Sequence, residues 1–179
     1  MASIFGGWSI DKKLYNYIRT ILPDGSTVLE LGSGKVTDVL ARHYTMYSVE
    51  HDPEWVGKYN STYLYVPLCE HKAIKNHKHT RWYSADVLRP QLKDIQYDLL
   101  LVDGPPQTRS GFVKYMSLFD SSAIWIFDDA NRGSDHAVLN SVASKLKLPW
   151  ITYHSGPAKT FSVFNSPLLT PFMNEEKDE

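Results

Sequence analysis

Short apolar runs alternate along this chain with stretches whose apolar residues fall at helical spacing. Leu14, Ile18 and Ile21 share one helical face, with Ser9 placed to cap that helix and Pro23-Asp24-Gly25 to end it. Residues 27–31 predict a strand, Gly32 and Gly34 a turn, and Val36, Val39, Leu40 and Ala41 a short packed helix. A second strand is expected at 46–50, followed by a helix opened by Asp52-Pro53, where proline suits the first turn. Residues 63–66 predict a third strand, ended by Pro67. Further on, 86–91 reads as a short turn or helix, 97–102 as a buried strand, 112–119 as a helix, 122–127 as a strand and 138–146 as a helix. Two last strands, 150–153 and 160–164, are separated only by a short turn at Gly156-Pro157, so they are expected to pair antiparallel. Alternating strands and helices of this kind predict an α/β domain: a mostly parallel sheet with helices on both faces and a C-terminal antiparallel hairpin.

Composition adds bounds. The 179 residues, 42% of them hydrophobic, suffice for one domain, expected at residues 10–166. Residues 1–9 and the acidic tail 167–179 are expected to be flexible. The formal charge of −1 gives no broad positive field, hence no strong nucleic-acid signature. Cys69 is the single cysteine, which excludes intrachain disulfides and a cysteine-based zinc site. No segment has the uninterrupted apolar length of a membrane helix or a leader, and the expectation is a cytoplasmic protein with no membrane partner. The segment 68–83 carries His71, His77 and His79 among Lys72, Lys75, Lys78 and Arg81 without a regular ligand motif, and is expected to be an insertion or polar lid. Trp82 and Tyr83 either anchor that lid to the core or stack on an aromatic acceptor.

Two constellations carry chemistry. Gly32-Ser33-Gly34 follows the first strand, and Glu50 closes the second. Glycines let a ligand approach the backbone, and an acid at the next strand end suits ribose hydroxyls, so the pair points to a nucleoside. Thr37 stands where a dinucleotide fingerprint has its third glycine, which argues against a dehydrogenase. The second constellation is Asp103, Asp128 and Asp129, at the ends of two strands expected to be neighbours. Three hard carboxylate ligands above the sheet suit Mg²⁺, which would hold substrate hydroxyls and stabilise a deprotonated oxygen. A plainer role stays open: Asp103 turning the Gly-Pro loop, Asp128 bonding a backbone N–H and Asp129 exposed.

On these residues the chain resembles the class I S-adenosylmethionine-dependent methyltransferases. Glu30-Leu31-Gly32-Ser33-Gly34 is similar to their first cofactor motif, Glu50 matches their ribose-binding acid, and the element order through Phe164 resembles their complete seven-stranded Rossmann-like fold. The resemblance implies S-adenosyl-L-methionine as cofactor. Gly32, Ser33 and Gly34 would lie at its amino-acid part, Glu30 would orient the loop or the cofactor amine, Glu50 would bind the ribose, and His51 and Leu68 would flank adenine. Asp103 would sit at both cofactor and metal. The acidic set looks like that of metal-dependent O-methyltransferases acting on catechols and on sugar hydroxyls of natural products, the Asp128-Asp129 form being closer to the latter. Catechol enzymes carry a lysine three residues after the first metal aspartate, where this chain has Pro106. Asp103 and Asp128 are therefore the expected catalytic centre, with Arg109, Arg132, His136 or Lys159 to orient substrate; surface salt bridging is the alternative for both arginines. The implied reaction is methyl transfer to a small polar acceptor, through an oxygen oriented by Mg²⁺. A metal-independent N- or O-methyltransferase acting on a nucleotide or protein, and a non-catalytic cofactor-binding protein, are the alternatives. A homodimer that completes the cleft is a further expected partner.

Overall fold

The computed structural model describes Phe5 and residues 10–72, 80–106, 109–131, 133–156 and 159–168, so Pro157 of the turn expected at Gly156-Pro157 lies outside the described residues. Ser9 lies outside them; the first helix, α1 (Lys12–Ile21), is capped instead by Asp11, whose carboxylate accepts the Leu14 N–H at 2.8 Å. The elements that follow are β1 (Thr27–Leu31), α2 (Lys35–Leu40), β2 (Thr45–Glu50), β3 (Thr62–Tyr65), β4 (Leu68–Glu70), β5 (Arg81–Tyr83), α3 (Ala85–Leu92), β6 (Leu99–Val102), α4 (Gly111–Tyr115) with a 3-10 turn at Met116–Leu118, β7 (Ile124–Phe127), α5 (Gly133–Leu146), β8 (Trp150–Gly156) and β9 (Lys159–Phe164).

Seven strands form one sheet in the order β3-β2-β1-β6-β7-β9-β8. The first five run parallel, and β9 pairs antiparallel with both β7 and β8. Alternation along the strands serves both faces. Leu29, Leu31, Leu100, Val102, Trp125 and Phe127 point into the core beneath α3, α4 and α5, while Val28, Leu99, Leu101 and Ile126 meet α1 and α2. The strand order reverses between β1 and β6, which opens a crevice at their carboxyl ends.

Three details differ from the sequence pattern. No helix follows Asp52-Pro53. The link from β2 to β3 is a series of turns, with the Asp52 side chain accepting the Glu54 N–H and with i-to-i+3 bonds from Trp55 to Asp52 and from Lys58 to Trp55. Gly57, at φ +78°, takes a left-handed conformation that a right-handed helix does not accommodate. The ends of the expected lid are ordered as the β4–β5 hairpin, and Trp82 and Tyr83 are fully buried, so they act as its anchors; His77 and His79 lie outside the described residues. The last helix begins at Gly133, five residues ahead of the apolar pattern. Among the described residues no helix is long and apolar enough to cross a membrane.

Candidate active site

The carboxyl ends of β1 and β6 touch backbone to backbone. Gly32 leaves β1 at φ +84° and donates its N–H to Val49 O at 2.9 Å. A Cβ on Gly32 would lie 3.1 Å from the Cα and N of Gly104, and one on Gly104 would lie 3.0 Å from Leu31 O and 3.1 Å from the Tyr83 hydroxyl. Only glycine fits either position at that separation. Beneath this contact Glu30 is buried and accepts hydrogen bonds from the Thr37 and Ser48 hydroxyls, the first at 2.8 Å. Thr37 in turn accepts the Gly34 N–H at 3.0 Å, so Glu30 fixes the glycine turn from below. Burial pushes the Glu30 carboxyl up to about 8, against the two hydroxyl donors. Glu30 and Gly34 border a small recess behind Gly32.

Glu50 ends β2 at the mouth of the crevice. One of its oxygens accepts the backbone N–H groups of His51 (2.7 Å) and Asp52 (3.1 Å); the other takes the Ser33 N–H at 3.1 Å and the Ser33 hydroxyl at 3.2 Å. Burial alone would raise its pKa, but the His51 ring, 3.1 Å away, and these N–H donors outweigh it, so Glu50 is held below the usual carboxylate range. The His51 ring stands edge-on to Tyr83.

A cavity of about 270 Å³ runs from this acid across Gly32 and Gly104 to the ends of β6 and β7. There Asp103, Asp128 and Asp129 converge, with one oxygen of each within 4.8 Å of the others. Asp128 is 1% exposed, and its Oδ1 finds no hydrogen-bond partner. Asp129 reaches the cluster because its backbone sits at φ 53°, a left-handed conformation that aspartate tolerates better than most residues. Lys159, at the start of β9, places Nζ 3.0 Å from Asp128 Oδ2 and 3.9 Å from Asp129 Oδ1. Burial and the neighbouring Asp103 charge push Asp128 up to about 7, with Lys159 pulling the other way. Burial would lower Lys159, yet the three carboxylates outweigh it and raise the ammonium.

Arg109 is not at the surface. It is 5% exposed, and its guanidinium bonds the carbonyls of Asp128 and Asp103 while lying 3.3 Å from Asp103 Oδ1 and 3.9 Å from Asp129 Oδ2. Arg109 thus ties the loop after β6 to the loop after β7. Of the other sequence candidates, Gly32, Ser33, Glu50 and His51 line the cavity with the three aspartates. Leu68 packs against the core and does not border the cavity. His136 bonds Asn140 on the exposed side of α5, and Arg132 lies outside the described residues. Tyr83, named from sequence as a lid anchor or a stacking ring, also borders the cavity; Asp52, Pro105 and Pro106 complete the wall with Trp55, which carried no sequence signal of its own. Trp55 carries Lys58 over its ring at 4.2 Å, in the turns that stand where a helix is expected.

No protein-family model and no curated protein matches the chain. Solved structures do. A methyltransferase from Pyrococcus furiosus superposes with a TM-score of 0.50 at 14% identity, over 85% of this chain and 80% of that one. The precorrin-6y C5,15-methyltransferase from Geobacter metallireducens GS-15 gives 0.54 at 9% identity, over 91% and 98%. MycE methyltransferase from the mycinamycin biosynthetic pathway, solved in complex with Mg and SAH, gives 0.52 at 12% identity over 93% of this chain, which spans about half (49%) of MycE. At these identities the likeness is one of architecture: the chain has the class I Rossmann-like methyltransferase fold.

Proposed function

We propose that this chain is an S-adenosylmethionine-dependent methyltransferase that acts on a small polar acceptor through an oxygen oriented by Mg²⁺. The observation that carries the reading is the cavity itself, which is bordered at once by Glu50, by the Gly32–Gly104 contact and by three clustered carboxylates. Glu50 fits a ribose: it stands at the cavity mouth as an acceptor-only carboxylate, one oxygen taking two backbone N–H groups and the other the Ser33 N–H and, at 3.2 Å, its hydroxyl, which a ribose hydroxyl could replace. The carboxylates fit a hard cation, because the buried Asp128 Oδ1 lacks a donor and three oxygens converge. MycE, of the same fold, was solved with Mg, SAH and mycinamycin VI, and this supports a divalent ion and a small-molecule acceptor beside the cofactor.

When bound, S-adenosylmethionine supplies an electrophilic methyl group and Mg²⁺ lowers the pKa of a coordinated hydroxyl. The chain's own residues do the positioning. Glu50 fixes the ribose, and the glycines allow close backbone approach. Asp103, Asp128 and Asp129 hold the ion, and Arg109 keeps the two carboxylate-bearing loops in register. Calorimetric titration with S-adenosylhomocysteine tests the cofactor half: binding is expected in the wild type and a loss of about tenfold or more in Glu50→Ala, the worth of one or two hydrogen bonds to a charged group. Methyl transfer to hydroxylated sugars and phenols, with and without a chelator, tests the metal half. Turnover that survives full chelation would reject Mg²⁺, and absence of cofactor binding would reject the whole reading.

A further inference from the structure

The carboxylate cluster holds two cations of unequal character. Arg109 is buried and bonded to backbone carbonyls on both loops, so its planar fork belongs to the frame. Lys159 is a compact ammonium on a flexible stem, 21% exposed, and it borders the cavity. Its Nζ satisfies Asp128 Oδ2 and approaches Asp129, while Asp128 Oδ1 stays unsatisfied. Counting the described residues alone, the three ionised acids with Arg109 and Lys159 carry one net negative charge. Adding a divalent ion with Lys159 still in place would make the cluster net positive around the buried Asp128. Adding the ion while the ammonium leaves brings it to neutrality, which is the cheapest arrangement in a low-dielectric cleft.

We infer that Lys159 is a displaceable internal cation: it holds Asp128 and Asp129 when no metal is bound, and it is expelled into the cavity when a divalent ion takes their oxygens. The inference rests on the Mg²⁺ reading above. It assigns to Lys159 a positioning role, setting how tightly the site holds metal and keeping the carboxylates from repelling one another in the metal-free protein.

Two measurements on the full chain test this. Mn²⁺ binding is followed by electron paramagnetic resonance in the wild type and in Lys159→Met, with S-adenosylhomocysteine binding as a check that the cleft is intact. Removing a like charge a few ångströms from the ion is expected to tighten Mn²⁺ binding by about tenfold or more. Reductive methylation of wild-type lysines, read by mass spectrometry, needs no variant: saturating Mg²⁺ is expected to speed the labelling of Lys159 severalfold over the other lysines. Equal or weaker Mn²⁺ binding in Lys159→Met, or Lys159 labelling unchanged or slowed by Mg²⁺, overturns the inference and leaves the metal site standing. Failure of both proteins to bind Mn²⁺ overturns the metal site and the inference together.

Discussion

At the scale of single residues, the site depends on positions where one side chain alone is acceptable. Gly32 combines a positive φ with a neighbour at 3.1 Å, and that neighbour is backbone, which cannot swing aside. Gly32→Ala is expected to cost about 1–3 kcal/mol in urea unfolding and to weaken S-adenosylhomocysteine binding in the same preparation, because the loops after β1 and β6 must separate. Glu30 makes a different prediction, about pH. Its folded pKa is raised to about 8 by burial, so between the ordinary carboxylate value of 4.5 and about 8 the folded state holds a proton that the unfolded chain has released. Stability from this group therefore falls as pH rises through that window. Glu30→Gln keeps an acceptor for Thr37 and Ser48 and removes the titration; its melting temperature is expected to decline less than that of the wild type between pH 5 and 8, by a few degrees in differential scanning calorimetry. A wild-type profile that instead rises with pH as steeply as the variant's would show that Glu30 is charged in the folded protein.

At the scale of elements, the close fit of α4 to the β4–β5 hairpin makes Gly111 a tight position. A Cβ there would lie 2.5 Å from Trp82 Cβ and 2.7 Å from Cγ, and Trp82 is fully buried against Phe112. Gly111→Ala therefore forces helix and hairpin apart, with an expected loss of about 1–3 kcal/mol by chemical denaturation. Whether an element was legible in the sequence followed from how it is buried. The parallel strands are buried on both faces, so their apolar runs show plainly, as in Leu99-Leu100-Leu101-Val102. The hairpin did not show, because Cys69, Glu70 and Arg81 are exposed and its packing rests on Trp82 and Tyr83 with the half-buried Leu68. The first turn of α5 is Gly133-Ser134-Asp135-His136, with no apolar spacing to mark it. Glycines and acids at strand ends could be read because they punctuate those runs. The role of Lys159 could not, since its approach to Asp128 depends on β9 lying beside β7, a pairing across more than thirty residues.

At the scale of the whole molecule, burial is shared unevenly along the sheet. β1 and β6 lie at its centre, covered on both faces, and Glu30, Gly32 and Asp103 depend on them. β3 is an edge strand with only Leu64 buried, and the chain reaches it from β2 through turns rather than a helix. Amide hydrogen exchange is expected to follow this gradient, with β3 and residues 51–61 exchanging orders of magnitude faster than β1 and β6. Comparable protection across all these strands would mean that the sheet opens as one cooperative unit. Asp52 and Trp55, which border the cavity, stand on the fast-exchanging side, whereas the carboxylate cluster stands on the slow side. A ligand spanning both would have to quiet the loose half before the firm half could use it, so part of its affinity would be spent on ordering one wall of its own binding site, and its arrival would be visible as slowed exchange in a strand that it need not touch.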